Sequence, residues 1–464
     1  MQDRAVLGNT PQQIDQKINR DLVGNLFAAP LRFWVVVGVL AMLVAGWFST
    51  IGWMVNQGLG VTGLNRPMMW GFMIVNFVFW VGISHAGVML SAILRLAQAE
   101  WRRPATRAAE VVTVFSLMTA VIFPIIHTGR PWRTLYWAFP WDFQRGIWPD
   151  VRSPLVWDPT AISTYLTSSI LFVFVALIPD IAVARDRATG LRKKVYSVLA
   201  MGWRGYPRQW RLQIIAGFLL SALILPVFVS VHSIVSWDFG VTQSVEGYHS
   251  TIFAPYFVIG AVHSGVSAVV TVLIILRWLF KWEDYIRRDH LDSLGRLLIV
   301  VATAWFYFFA MEVLFGMFTL DNSEIGYRTM QMFEWPYWPL YIVFIVTAYF
   351  FPVPMWLFRN VRRSFFWMLV TTISVNIGMW FERFLIIVPS LSRKEELTFN
   401  WSTYHPSLVE ISLIIGSFCW VAMLVLLFSK FFPLIPLYDI KEGETLKDRI
   451  KIGRVWVPAV MREE

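Results

Sequence analysis

The composition of this 464-residue chain excludes an ordinary soluble protein. Hydrophobic residues make up 57%, tryptophans number 25, and only 15% of residues are charged, with a mean hydropathy of +0.56. Apolar runs of about 18 or more residues recur, and each can cross a hydrocarbon core of roughly 30 Å as a helix. We therefore predict an all-α integral membrane protein that crosses the membrane many times.

Cysteine content and charge narrow the chemistry further. The one cysteine, Cys419, lies in an apolar run. No internal disulfide can form, and this chain alone cannot hold an iron–sulfur cluster, which needs several thiolates. The sequence has no C-x-x-C-H haem motif, and we expect no metal site. Any redox chemistry would therefore pass electrons to another subunit.

The net charge of +10 comes mainly from loop residues. This distribution is typical of membrane topology rather than nucleic-acid binding.

The apolar runs predict ten transmembrane spans. A polar N-terminal segment, residues 1–32, precedes them, and a polar tail, residues 431–464, follows. In chain order the spans lie near residues 33–56, 67–94, 108–127, 159–182, 211–236, 251–279, 295–319, 337–358, 363–388 and 408–430.

The distribution of Lys and Arg predicts the orientation. Of these 40 residues, 31 lie in the terminal segments and the loops after even-numbered spans, whereas 8 lie in the other loops and Arg383 lies within span nine. Because basic residues concentrate on the cytoplasmic side, both termini are predicted to be cytoplasmic. The loops at 128–158 and 237–250 then lie at the outer face.

A weak internal repeat predicts two four-helix bundles. The sequence SHAG at 84–87 in span two resembles VHSG at 262–265 in span six, 178 residues later. Small residues near both motifs let helices approach closely in lipid, so spans two and six are predicted to be interior helices. The first bundle would cover residues 67–236 and the second 251–388, with peripheral helices at 33–56 and 408–430.

Three acid/base side chains fall on the predicted outer side. His127 ends span three, Asp158 opens span four, and Asp238 follows span five. Two of them also have a simpler explanation. A histidine at a helix end, such as His127, is often only interfacial. Asp158 before Pro159 is a good N-cap for a helix that starts with proline. Their shared position at three adjacent helix ends favours a catalytic site.

Arg130 and Trp132 follow His127 in the sequence HTGRPWR. They could bind a ligand, or they could belong to an interfacial belt of aromatic anchors. Neighbouring tryptophans of the same loop favour the second interpretation.

Four ionisable residues lie within predicted spans, where charge is costly and often functional. They are His85, His263, Glu312 and Glu382. All could relay protons, or they could be hydrogen-bonded structural groups. Glu382 and Arg383 are adjacent, so on a helix we expect them to face different ways and to need other partners.

These features resemble the NrfD / polysulfide-reductase membrane-subunit family over about residues 67–388. The resemblance rests on the two H-x-G helices, the HTGRPWR turn, the WDP sequence before span four and the doubled four-helix plan. Within that family, a ten-span form with cytoplasmic termini looks like the large quinol-oxidising subunit of alternative complex III.

The resemblance implies a quinol site at the outer face, lined by His127, Asp158 and Asp238, with menaquinol as the expected substrate. It also implies an iron–sulfur partner that takes the electrons, a multihaem cytochrome c subunit and a second NrfD-like chain. The setting would be a respiratory or photosynthetic chain in a bacterial cytoplasmic membrane, with proton translocation as an added activity. Histidine suits this chemistry because its pKa lies near neutral pH, and a carboxylate can orient it or take the second proton.

Two other classes of protein stay open from the residues alone. A secondary transporter can have repeats and charged groups near the membrane centre, but it would work without a redox subunit. A purely structural membrane anchor would not need His127, Asp158 and Asp238. Copurification with redox subunits and substitution of His127 separate these classes.

The predicted topology can be tested by cysteine labelling. In a Cys419→Ser background, Arg145→Cys should react with an impermeant thiol reagent only from the outer side, because residue 145 lies in the predicted outer loop 128–158. Labelling from the cytoplasmic side alone would overturn the orientation and separate the site from its expected surface.

Overall fold

A computed structural model describes most of the chain. The described residues are 16–85, 87–134, 154–241, 245, 247–248, 250, 252–392, 402–445, 449–452 and 455–458. Residues 135–153 of the predicted outer loop 128–158, including residue 145, and residues 242–244, 246 and 249 of the loop 237–250 lie outside these ranges.

The described ranges are dominated by long apolar helices, which is the expected outcome because lipid supplies no partners for backbone N–H and C=O groups. We number the membrane helices in chain order as Leu31–Gln57 (α1), Phe72–Ser84 (α2), Thr106–His127 (α3), Pro154–Arg187 (α4), Pro207–Gly240 (α5), Phe253–Phe280 (α6), Arg288–Phe318 (α7), Tyr337–Ile345 (α8), Phe365–Ser392 (α9) and Leu408–Phe431 (α10).

Two of these helices contain π-helical turns. Helix α2 continues through the π-helix Val88–Ile93 and the short helix Leu94–Leu96, and α8 continues through the π-helix Val346–Phe350 and the helix Pro352–Leu357. Within the described ranges, nine helices are long and apolar enough to cross a membrane, and the first segment of α2 is a shorter apolar helix.

The predicted all-α membrane class is confirmed. Every predicted span overlaps one observed helix, but several helices are longer than their apolar part. Helix α7 begins at Arg288 rather than near 295, and α4 begins at Pro154 rather than near 159. The prediction marked only the residues that lipid would surround, whereas polar residues at the ends continue the same backbone hydrogen bonding.

Shorter elements connect the membrane helices, and the sequence did not predict them. The tail, for example, contains a helix and a two-stranded antiparallel hairpin. The elements are Asn19–Val23, Gly24–Phe27, Leu59–Val61, Glu100–Arg102, Pro131–Arg133, Gly190–Leu199, Asn322–Phe333, Arg359–Arg362, Leu437–Thr445, β1 (Arg449–Ile452) and β2 (Val455–Pro458).

Contacts between the helices form two groups of four. Helix α2 packs against α3 and α5, and α4 packs against α3 and α5; we call this group the first bundle. In the second bundle, α6 packs against α7 and α9, and α8 packs against α9. The bundles meet where α2 and α5 contact α6. Helices α2 and α6 are mostly buried, which confirms that they are interior helices.

The remaining membrane helices, α1 and α10, pack mainly against each other, and α10 also contacts α2 and α3. Glu410 fixes the start of α10: it forms a capping box with Ser407 and accepts hydrogen bonds from the Gly63 backbone N–H at 2.7 Å and the Tyr404 hydroxyl at 2.5 Å. The tail helix Leu437–Thr445 lies at the end of the first bundle that is far from Glu410. An ion pair of 2.7 Å between Arg103 and Glu442 holds it there.

Candidate functional site

Asp158 and Asp238 meet at one end of the first bundle. Asp158 lies near the start of α4 and Asp238 near the end of α5, and their carboxyl groups are in contact. Both oxygens of Asp238 and Oδ1 of Asp158 are shielded from solvent. Two ionised carboxylates in contact repel each other and can only accept hydrogen bonds, so a proton between them stabilises the pair. The arrangement is a buried carboxyl pair that can share a proton.

The position of Asp158 differs from the alternative considered from the sequence. As an N-cap it would precede the first residue of the helix, but α4 already begins at Pro154. Asp158 lies within the first turns of α4, and its side chain contacts Asp238 rather than capping the helix. The N-cap interpretation of Asp158 is therefore wrong. Pro159 was misleading because it is the sixth residue of α4, where it removes one backbone hydrogen bond without ending the helix.

His127 is the last residue of α3, three residues after Pro124. Helix α3 contacts α4, so His127 and Asp158 occupy the same ends of neighbouring antiparallel helices. Nδ1 of His127 is buried and makes no hydrogen bond within the described residues. Among those residues, no hydrogen bond joins it to either aspartate. The structure thus brings the two carboxyl groups together and leaves the histidine nitrogen available to another proton donor.

Arg130 and Trp132 lie on the short turn that follows α3. Both side chains are exposed, with 67% of the Trp132 surface accessible to solvent. Gly129 places this turn against the loop after α1: its φ is +69°, and a Cβ there would lie 3.0 Å from Cγ of Leu59. The positive φ favours glycine here, whereas the Leu59 side chain would need to shift by only a few tenths of an ångström to admit a Cβ. Exposure agrees with the anchor interpretation and leaves the ligand-binding role of Arg130 and Trp132 as a prediction.

The interior of the first bundle contains two histidines in contact. The His85 and His232 ring centroids are 4.6 Å apart, and both residues are fully buried. His85 places Nδ1 2.7 Å from the Val81 carbonyl oxygen and Nε2 3.2 Å from that of Phe228. His232 has no hydrogen-bond partner for either ring nitrogen in the described part of the chain.

His232 was not singled out from the sequence. It stands in an apolar helix six residues before Asp238, and the rule that draws attention to ionisable residues within a span applies to it as to His85.

His263 and Glu382 lie in the second bundle. His263 Nε2 is 3.1 Å from the Ala348 carbonyl oxygen, and its ring stacks on Trp305. The Trp305 indole donates a hydrogen bond of 2.8 Å to Glu382, which also accepts one from Tyr256. His263 and Glu382 therefore both have partners within the protein, as expected for hydrogen-bonded structural groups.

One expectation about Glu382 is wrong. Arg383 Nη1 lies 3.6 Å from Glu382 Oε2, so the adjacent residues do approach each other. Helical spacing separates their Cβ atoms, but a long arginine side chain can fold back past its own backbone.

Glu312 forms a buried ion pair. Arg328 of the helix Asn322–Phe333 binds Glu312 at 3.0 Å and Glu324 at 3.0 Å. Burial disfavours charge on Arg328, but the neighbouring Tyr327, Glu324 and Glu312 outweigh it, so the pKa of Arg328 is raised. A cavity of about 20 Å³ next to this ion pair is also lined by Glu382, and a cavity of this size holds about one water.

Comparison with known proteins identifies the family. The family described as "Polysulphide reductase, NrfD" matches residues 60–393. The chain belongs to the NrfD family. The resemblance inferred from the two H-x-G helices and the HTGRPWR turn is thereby confirmed.

Three relatives match nearly the whole NrfD chain. A Halobacterium salinarum protein described as a membrane subunit of dimethyl sulfoxide reductase is 25% identical, covering 90% of this chain and 95% of its own length. A subunit of the selenate reductase of Mesobacillus selenatarsenatis is 21% identical, covering 90% and 95%. The Hdr-like menaquinol oxidoreductase integral membrane subunit of Archaeoglobus fulgidus is 19% identical, covering 89% and 96%. These names support a role for this NrfD chain as the membrane subunit of a redox complex.

The proton shared by Asp158 and Asp238 should be visible in the infrared spectrum of the purified protein. We expect a protonated-carboxyl band at neutral pH that disappears in both Asp158→Asn and Asp238→Asn, because an asparagine amide can donate to the remaining carboxylate in place of the shared proton. Glu410→Gln is a control outside the pair. A band that survives both aspartate substitutions would show that the pair does not hold the proton.

Proposed function

We propose that this NrfD chain is the quinol-oxidising membrane subunit of a quinol:electron-acceptor oxidoreductase similar to alternative complex III, with menaquinol as substrate. The Archaeoglobus relative, whose name refers to menaquinol, supports this choice of quinol. The site consists of His127, Asp158 and Asp238.

The contact between the buried carboxyl groups of Asp158 and Asp238, at the end of the bundle where α3 also ends at His127, carries the proposal. Oxidation of a quinol to a quinone releases two electrons and two protons, so the site needs two places for protons. A carboxyl pair that shares one proton can take up another, and the buried Nδ1 of His127 has no protein partner in the described ranges. Together they can receive both phenolic protons at neutral pH. Because a quinol is soluble in lipid, it can reach the site between apolar helices.

In this proposal His127 accepts the first proton from the quinol hydroxyl. The carboxyl pair accepts the second proton, or holds it after transfer from His127. Arg130 and Trp132, on the turn after His127, are proposed to bind near the quinol head group. Because both side chains are exposed in the isolated chain, this contact depends on a partner protein that covers the turn.

The electrons must leave through another protein. This chain has one cysteine, Cys419, and an iron–sulfur cluster needs several thiolates. We therefore propose an iron–sulfur subunit at the outer face, followed by a multihaem cytochrome c subunit, with a second NrfD-like chain beside it in the membrane. The complex would lie in a bacterial cytoplasmic membrane, with both termini of this chain in the cytoplasm and lipid around it. Purification under mild conditions tests these partners by their optical and electron-paramagnetic spectra.

The second part of the proposal concerns proton translocation. His85, His263, Glu312 and Glu382 lie at different depths within the bundles, and the last two line the same water-sized cavity. Such groups can pass protons through bound water. Oxidation of quinol at the outer face releases protons outward without this path, so the relay is an additional activity.

Substitution of the proposed base tests the quinol site. In the purified complex, His127→Ala should lower the rate of menaquinol oxidation by about a hundred- to ten-thousand-fold, because this is the typical contribution of a positioned general base. His405→Ala is the matched control, since His405 is an exposed histidine outside the site. The cofactor content of the two variants shows whether the complex assembles. Near-normal turnover of an assembled His127→Ala complex would refute the assignment.

Substitution of Glu312 tests the relay. Glu312→Gln should leave electron transfer largely intact and lower the number of protons moved per electron, because an amide cannot carry the proton. In this variant Arg328 keeps its other carboxylate partner, Glu324, at 3.0 Å. Glu324→Gln is the matched control, because it removes one carboxylate from Arg328 and leaves Glu312 in place. An unchanged ratio in Glu312→Gln would assign the residue a structural role.

A further inference from the structure

The end of the first bundle opposite the carboxyl pair has a cavity of about 200 Å³. It lies where α4 ends, α5 begins and the tail helix Leu437–Thr445 crosses the bundle. Asp180 is among its lining residues and is 2% exposed. Charged and aromatic side chains surround the opening, among them Arg185, Arg204, Trp210 and Lys441. A polar cavity of this volume admits several waters, so it provides aqueous access to a nearly buried carboxyl group.

A charged cluster leads from this cavity into the bundle. Asp180 lies 3.3 Å from Arg107 Nη2, and Arg107 Nε lies 3.4 Å from Glu110 Oε2. The other oxygen of Glu110 accepts a hydrogen bond from the Ser91 hydroxyl, which belongs to the π-helical turn of α2. All four side chains are buried. Helical turns of the π type are frequent at functional sites, and this one places a hydroxyl against a carboxyl group inside the bundle.

Hydroxyl groups continue the polar path towards the histidines. Thr113 lies three residues beyond Glu110 on α3, and its hydroxyl donates to the Ser84 carbonyl oxygen at 2.6 Å. The Tyr165 hydroxyl donates to the same oxygen at 2.9 Å. His85 follows Ser84 directly, and its ring contacts His232. A Cβ at Gly87 would collide with the Thr113 hydroxyl, so glycine allows α2 and α3 to meet here.

Several buried groups of the first bundle have polar atoms that make no hydrogen bond within the described residues, although Arg107 Nε and Glu110 Oε2 are ion-paired with each other. The others include both ring nitrogens of His232 and the hydroxyls of Ser116 and Ser169. Buried polar atoms in folded proteins are nearly always hydrogen-bonded, and internal water supplies the bonds that protein does not. Such atoms occur in both bundles; those of the first bundle lie on the helices that carry the charged cluster and the histidine pair, where internal water can supply the missing bonds.

The path has the length needed to cross the membrane. Asp158 and Asp180 lie 22 residues apart on α4, about 33 Å along a helix, which matches the thickness of the hydrocarbon core. At the other end, His232 precedes Asp238 by six residues on α5, about 9 Å. A few waters bridge such a gap.

We propose that the residues from Asp180 through Glu110 to His85 and His232 form a proton path between the cavity and the Asp158–Asp238 pair. This inference rests on the quinol site proposed above. No electrons pass along the path: each group releases one proton to the next and regains one from the group before it, and only O–H and N–H bonds change. The electrons of the quinol leave through the partner subunit. The site can therefore exchange protons with the membrane face opposite the one it occupies.

The competing explanation is that Arg107, Glu110 and Asp180 only hold the helices together. The charged groups nearest to Glu110 are Arg107, Arg95 and Asp439 of the tail helix. Those nearest to Asp180 are Arg107 and Asp439. Around His232 they are His85 and Arg383. A structural role predicts lower stability for variants of the cluster. A proton path predicts instead that the reaction senses the pH on the cavity side.

The test uses the purified complex in lipid vesicles, with the pH inside and outside set independently. Menaquinol oxidation is followed with a water-soluble menaquinol analogue and an impermeant oxidant, which selects complexes whose electron-accepting subunit faces outward. In the wild type we expect the rate to respond to the pH on both sides. Glu110→Gln should abolish the response to the inner pH and preserve the response to the outer pH. Glu410→Gln is the matched control, because it is a buried glutamate with protein partners at the other end of the molecule.

Two results would overturn the path. One is a wild-type rate that responds only to the outer pH, and the other is a Glu110→Gln complex that retains the wild-type response to the inner pH. If Glu110→Gln fails to assemble, Asp180→Asn provides the same comparison at the mouth of the path. These failures differ from failure of the quinol site, which would appear as normal turnover in His127→Ala whatever the response to pH.

Discussion

The lack of water in the hydrocarbon is the constraint on which this structure depends. A polar group inside a membrane helix must find a protein partner or a bound water, because lipid offers none. The pairing of Asp158 with Asp238 and the ion pair of Arg328 with Glu312 are solutions to this problem. They differ in what offsets the carboxylate charge: Arg328 supplies a permanent positive charge to Glu312, whereas Asp158 and Asp238 can share a proton that is lost or replaced. The same constraint therefore yields ion pairs at some positions and a carboxyl pair at another.

The two bundles share a plan and differ in chemistry. Each bundle has a buried arginine–carboxylate contact near the end where the loops are rich in Lys and Arg. This contact joins Arg107 to Asp180 in the first bundle and Arg362 to Asp292 in the second. Each has a buried histidine in the interior helix that contains the repeated motif, His85 or His263. At the opposite end the first bundle has a carboxyl pair and the second has Glu312 bound to Arg328. The two bundles thus share the buried contacts and differ in the groups at the opposite end.

Much of the fold could be predicted from the sequence, because hydrophobic length dictates membrane helices almost independently of tertiary context. The ten spans and the interior position of α2 and α6 follow from that pattern. The site was harder. The alternation of spans across the membrane places Asp158 and Asp238 on the same membrane side. Only the packing of α4 on α5 brings their carboxyl groups into contact. His232 and Asp180 were missed because each lies beside apolar residues and gains its polar neighbours from other helices. Glu110 pairs with Arg107 of its own helix but gains Ser91 only from α2. For Glu382 and Arg383 the sequence predicted no contact where one exists. Spacing along a helix gives the separation of Cβ atoms and does not account for the length of an arginine side chain.

The packing of α1 against α10 has a consequence for how the protein is made. The first and last membrane helices depend chiefly on each other, and α1 leaves the ribosome several hundred residues before α10. At usual rates of synthesis this interval is on the order of tens of seconds, during which α1 must remain in the bilayer without its main protein neighbour. Lateral association of inserted helices is a separate, later step. Closure of the helix assembly therefore waits for α10, and a ribosome that stops before α10 leaves α1 in lipid without its main protein neighbour.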